Sequence, residues 1–423
     1  MFPQFPRSVK VILLSLILGL ERLSYYGVRG IAVVYFMEDL SKFQTDQSTF
    51  FLYYSFYTAL AGILCLPAGV LSDFALKHRI GFTTGAILCV LGYGMIAIPG
   101  MVSFGLGALL IIGGTSFTRV NIQALTGFLF SEEDSKREAA FSISYLAINV
   151  GALFASLTVV LIGERYGFGW GCGFAAMNML LALVIFLVCY NQFGAQLPAP
   201  LFKSTDSRFS VAPNMRISHV LGLSAAIAMF WLAYEQIYQV ASPLWSTMIE
   251  KKLLGITIDA QMIDYINPLS LIPFTVLVSA LFYLVPIRRV YLIIGVSLFA
   301  LMGIGVLLKI ASGFDGFTQN GFGLWVVMLV FISLIEALVA PLALSQITRL
   351  GGTRYSATAL GFFIMGFSLV SYVMQSIYHV AGSNDQIVFW LVMIALFLSS
   401  ILIFVLSCRK KRVRDNLPLD AST

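Results

Sequence analysis

The sequence predicts an all-α membrane protein of twelve transmembrane helices, arranged as two halves of six. Three observations carry this. The 423-residue chain is 59% hydrophobic and only 11% charged, with a mean hydropathy of +0.91, whereas a soluble domain carries about 25% charged residues. The apolar residues fall into twelve runs, at 11–38, 49–75, 80–100, 104–130, 139–163, 169–192, 217–247, 265–287, 290–311, 322–349, 355–381 and 386–407, each meeting the ~20 residues that cross a bilayer core. The longest polar connection, 194–216, divides those runs six and six.

The same composition excludes several classes. The net charge of +6 is spread through the loops instead of forming one basic face, which argues against a nucleic-acid partner. The five cysteines are scattered without C-x-x-C spacing and the three histidines do not cluster, so neither a metal site nor a disulfide framework is indicated. Without a nucleophile set, metal ligands or a phosphate loop, no enzyme activity and no cofactor are expected. The first run has no small-residue cleavage site and outlasts a leader's apolar core, so it reads as the first span.

Taken in order, span one is the unusual element. Inside its apolar run stands Glu21-Arg22-Leu23-Ser24-Tyr25-Tyr26-Gly27-Val28-Arg29. One charge at the centre of a spanning helix costs about 2.5–3.5 kcal/mol, so three cannot face lipid. Helical periodicity puts Arg22, Tyr25, Tyr26 and Arg29 on one stripe, with Glu21 at its edge, facing a watery interior. Span two ends at Asp73, with Lys77, His78 and Arg79 just beyond. This acid-then-base pattern, Asp73 and Arg79 above all, suits a loop that latches onto the neighbouring bundle, although ordinary loop charge is the alternative. Span four carries Arg119, and span five carries Asn149. Span seven holds Trp231, Tyr234, Glu235 and Gln236, span eight Asn267-Pro268, and span ten Glu336 followed by Pro341. Prolines inside spans free backbone carbonyls and permit bends.

Orientation follows from basic residues. Eighteen of the 26 lie in the N-terminal segment, alternate loops and the C-terminal tail, against five on the opposite side. Both termini are therefore expected in the cytoplasm of a cell whose inner membrane holds the protein. The expected organisation is a six-helix bundle over 1–193, a cytoplasmic linker over 194–216, a second bundle over 217–407, and a basic tail over 408–423. Two halves joined by a cytoplasmic linker are the layout of carriers that rock around a central site.

The ionisable residues deep in the spans sharpen this. Glu21, Arg22, Arg29 and Arg119 lie in spans one and four; Glu235 and Glu336 lie in spans seven and ten, the equivalent positions of the second half. If both halves fold alike, these helices meet around one cavity. A zwitterion would fit it, its carboxylate toward the arginines, whose planar forks favour such groups, and its amino group toward Glu235 or Glu336. Alternatively, the six charges cancel as structural pairs. Glu21, Glu235 or Glu336 could also take up a proton, because a dry cavity favours the neutral carboxyl while a nearby arginine favours the carboxylate.

These residues resemble the proton-dependent oligopeptide transporters of the major facilitator superfamily. Glu21, Arg22, Tyr25, Tyr26, Gly27 and Arg29 are similar to the family's first-helix signature, E-x-x-E-R-F-x-Y-Y-G and a following arginine. The segment from Phe141 through Tyr145, Ile148, Asn149 and Gly151 resembles the fifth-helix signature. Phe230-Trp231 with Glu235-Gln236, Asn267-Pro268, and Glu336 with Pro341 and Ser345 resemble the motifs of helices seven, eight and ten. The resemblance implies the major facilitator fold and a peptide site lined by Arg22, Tyr25, Tyr26, Arg29, Asn149, Trp231, Glu235, Asn267 and Glu336, to which charge pattern adds Arg119. It implies proton-coupled uptake of di- and tripeptides by alternating access, with small peptides and protons as the partners, usually by a monomer. Two departures stand out. The family's first acid is Leu18 here, and its helix-four lysine is Arg119. They leave open another small zwitterion or anion as cargo, or atypical or absent proton coupling. A ligand-binding membrane receptor is the reading from outside the transporter class.

Overall fold

The computed structural model describes residues 4–38, 47–131, 134–193, 213–247, 252–253, 256–257, 263–285, 287, 289–313, 322–381 and 385–415. Most of the linker, the loops at 41–46 and 314–321, and the tail beyond Asp415 lie outside the described residues.

Among the described residues the helices group into twelve spans, close to where the apolar runs put them. Span one is Arg7–Glu38. Span two comes in two pieces, Gln47–Ile63 and Cys65–Phe74. Spans three and four are His78–Ile96 and Met101–Phe128. Span five runs as Arg137–Ala155, a π turn at Ser156–Val160, and Leu161–Tyr166; span six is Phe168–Val188. The second half comprises Pro213–Thr247, Ile263–Leu284, Val290–Ala311, Phe322–Gly351, Ser356–Ala381 and Asp385–Asp415. Span twelve thus stays helical through the basic residues after 407. Between spans seven and eight, Lys252–Leu253 pairs antiparallel with Ile256–Thr257. Spans five and six need almost no loop, because Gly167 at φ 104° turns the chain where a side chain would be strained.

Eleven of the helices are long and apolar enough to cross a membrane, and the eighth contributes the shorter apolar stretch Leu269–Leu284. Their outer faces are as apolar as their inner ones. On span twelve, Leu391, Ile394, Leu398 and Val405 are exposed while Val392, Leu396, Ile403 and Leu406 are buried. A helix apolar all round belongs in lipid.

The first half has its own apolar core, built around residues such as Leu14, Phe82, Cys172 and Phe186. The second half's core, around Phe230, Leu298, Trp325 and Phe389, also takes in Cys65, Val120, Ala139 and Tyr145 from the first. The halves meet where span two crosses span eleven and where span five packs on spans eight and ten. The first crossing is backbone against backbone. A Cβ on Gly69 would lie 2.2 Å from the Ala357 carbonyl oxygen, and one on Gly361 would lie 2.2 Å from that of Cys65. Small residues permit such approach in the absence of a hydrophobic drive between helices.

Candidate functional site

A cavity of about 330 Å³ lies between the halves. Span one contributes Tyr25 and Arg29, span four Arg119, and span seven Trp231 and Glu235. The remaining wall comes from span two, through Tyr54, Ser55 and Thr58, and from span eleven, through Ser368, Ser371 and Tyr372. Sequence reasoning missed these last two spans. Hydroxyl side chains are so common in membrane helices that only the charges drew attention.

The charged stretch of span one divides its labour. Glu21 and Arg22, both almost fully buried, form a two-bonded ion pair with each other, and Thr118 Oγ1 donates to Glu21 Oε1 at 3.0 Å. Their charges cancel within the helix, as the structural-pair alternative allowed for this couple. Arg22 also lies over the rings of Tyr25, at 4.6 Å, and Tyr26, at 5.8 Å. One turn or more away, Arg29 Nε donates to the Tyr54 hydroxyl at 2.9 Å. Three guanidinium groups surround the single ring of Tyr25: Arg22, Arg29 at 5.5 Å and Arg119 at 5.9 Å. The ring's negative faces offset part of the repulsion among them. Among the described residues neither Arg29 nor Arg119 has an ion-pair partner. Opposite them, Glu235 Oε1 accepts from Ser371 Oγ at 3.1 Å.

Glu336 belongs to a second, adjoining cluster instead of the cavity wall. It is 4% exposed. Tyr145 Oη donates to its Oε1 at 2.6 Å, and Asn267 Nδ2 to its Oε2 at 3.2 Å. The same amide nitrogen is 2.7 Å from the Tyr234 hydroxyl and 3.3 Å from Ser333 Oγ. This network ties span five to spans seven, eight and ten. Asn149 Nδ2 donates to the carbonyl of Tyr145 in its own helix at 2.9 Å.

At the end where span one begins, the halves are closed. Asp73 accepts from the backbone N–H groups of Ala357 and Thr358, at 3.3 and 2.7 Å, and from Thr358 Oγ1 at 2.7 Å. It caps the first turn of span eleven, whose N–H groups have no partner within the helix. His78 stands behind it, with Nε2 3.5 Å from Asp73 and Nδ1 3.0 Å from Asn121 Oδ1. Arg79 stays within the first half: it donates to the Tyr190 carbonyl at 2.9 Å and covers the Tyr190 ring. The same end is stitched by Arg349 to Glu138 at 2.8 Å and by Arg137 to Thr348 Oγ1 at 2.8 Å.

Twelve helices in two halves around a charged cavity make up a major-facilitator type of fold. A family profile described as PTR2, POT family, matches residues 80–212. The uncharacterized transporter YclF of Bacillus subtilis is 24% identical over 87% of this chain and 86% of its own. Dipeptide and tripeptide permease A of Pectobacterium carotovorum is 29% identical over 51% of this chain, an alignment spanning 42% of that permease. Among solved structures, the peptide transporter POT in complex with sulfate matches with a TM-score of 0.68 at 22% identity, covering 95% of both chains. A POT family transporter in complex with 5-aminolevulinic acid matches with a TM-score of 0.66 at 18% identity. The structural likenesses show the fold, and the profile match over residues 80–212 and the permease relatives make this chain similar to the POT family.

Proposed function

We propose that this chain is a secondary transporter that carries di- and tripeptides into the cell with protons, by alternating access. The observation that carries the reading is the cavity between the halves, where Arg29 and Arg119 face Glu235 across a space of peptide size. A peptide's carboxylate suits the guanidinium forks, and its ammonium suits Glu235. The permease and peptide-transporter relatives named above support the cargo class. The acids available to carry the proton are Glu235, at the cavity, and Glu336, whose bond to Tyr145 crosses between the halves and would break when they part.

With both termini in the cytoplasm of the inner membrane, the stitched end at Asp73 and Glu138 is the cytoplasmic one, and the arrangement is one closed to the cell interior. Labelled dialanine uptake into proteoliposomes, with and without an inward proton gradient, tests the reading. Gradient-stimulated uptake is expected; absence of uptake under both conditions, together with no uptake of acidic dipeptides, would sink it.

Leu18 favours a second reading. It is 3% exposed and packs in the first half's apolar core beside Leu14 and Ile17, so no acid is present there to answer Arg119. Uptake indifferent to the proton gradient would favour a facilitator, or a carrier of another small zwitterion or anion.

A further inference from the structure

The cavity wall holds more fixed positive charge than its own acid balances. Its ionisable acid and base side chains are Arg29, Arg119 and Glu235. Arg29's hydrogen bond goes to a neutral phenol, Tyr54, and Arg119 has neither a hydrogen bond nor an ion pair among the described residues, only the Tyr25 ring. The neighbouring charges are spoken for. Arg22 is neutralised by Glu21, and both oxygens of Glu336 are occupied by Tyr145 and Asn267 behind the wall. No acid stands at the buried Leu18.

A half-buried guanidinium with five donors and no acceptor gains most from an anionic ligand group. A simple zwitterionic peptide offers one carboxylate and one ammonium. It would satisfy Glu235 and one arginine, leaving the other cation uncompensated in a site of low dielectric, which is unfavourable. We propose that the preferred cargo carries a second carboxylate: an acidic dipeptide, with its ammonium at Glu235 and its two carboxylates on Arg29 and Arg119. This rests on the peptide-transport reading and goes further by naming the class of peptide.

The test compares direct uptake of labelled Ala-Glu, Ala-Ala and Ala-Lys by the full-length protein in proteoliposomes, and their power to compete with one another. Ala-Glu should half-saturate at a concentration about tenfold below Ala-Ala, the scale of one charge-assisted hydrogen-bonded pair, and Ala-Lys should be weakest. Arg119→Gln should collapse the Ala-Glu to Ala-Ala ratio toward one, while Arg119→Lys, which keeps the charge, should preserve part of it. A melting curve shows whether each variant is folded; if Arg119→Gln is not, the ranking in the unmodified protein decides. Equal handling of the three peptides overturns the charge preference and leaves peptide transport standing. Transport of none of them overturns both. Ala-Ala uptake that requires chloride, without preference for Ala-Glu, would mean that an inorganic anion fills the place at Arg119, and overturns the proposal.

Discussion

Replacing Asp73 by alanine should loosen the closed end of the molecule. The carboxylate accepts two backbone N–H groups and one hydroxyl at the start of span eleven. Removing a helix cap costs about 1 kcal/mol, and losing an anion at a helix N-terminus costs about 0.5–1 kcal/mol more. Because Asp73 belongs to the other half of the molecule, this energy favours only the closed arrangement. A loss of about 2 kcal/mol changes the closed-to-open ratio roughly 30-fold. Spin labels at Ile80 and Leu284, both exposed on helices that reach this end, would read the change as a distance distribution by pulsed electron resonance. The parent protein should show one short distance, and Asp73→Ala a second, longer population. An unchanged distribution in a folded variant would refute the assignment of Asp73 as a clasp between halves.

Three further outcomes follow from the geometry. Glu235→Gln or Glu336→Gln should abolish uphill uptake driven by a proton gradient while peptide exchange at equilibrium persists; if both variants retain full gradient-driven uptake, these acids do not carry the proton. Gly361→Val places side-chain atoms against the Cys65 carbonyl, where even a Cβ would lie at 2.2 Å, so the melting temperature should drop by the equivalent of about 1–3 kcal/mol. Gly303→Ala, into open space, is the control, and equal melting of the two would contradict the close crossing. Leu18→Glu puts a carboxylate into the apolar core of the first half and should lower the melting temperature markedly. Unaltered melting would mean that a cation, Arg22 one helical turn along or Arg119 on span four, turns to meet it.

The spans were readable because lipid leaves no freedom: backbone groups must bond within each segment, so long apolar runs become helices. The charges inside them were readable for the same reason, since each is too costly to be incidental. Their partners were not. Nothing in the order Glu21-Arg22 says that these neighbours bond to each other, because adjacent residues on a helix usually point apart. Glu336 and Glu235 look equivalent in sequence, yet one lies in a cage of Tyr145 and Asn267 and the other lines the cavity. Asp73 and Arg79 read as one loop device, but they bond in opposite directions, Asp73 across to span eleven and Arg79 back to Tyr190. The hydroxyls of Tyr54, Ser371 and Tyr372 carry no signal until spans two and eleven are seen to cross.

That crossing has a mechanical consequence. Gly69 and Gly361 let two backbones touch with little side-chain padding between them, so the contact behaves as a fulcrum. On span two the backbone contacts at Cys65 and Gly69 centre near residue 67; Tyr54 stands thirteen residues to one side, a lever arm of ~20 Å, and Asp73 six residues to the other, an arm of ~9 Å, at 1.5 Å of rise per residue. In a rocking carrier, a given displacement at the cavity lip is therefore about halved at the Asp73 clasp. The short arm is the one held by hydrogen bonds, which tolerate only small displacements before they fail. A modest movement of the walls around a bound cargo would thus be stepped down to a stroke matched to a clasp that either holds or lets go.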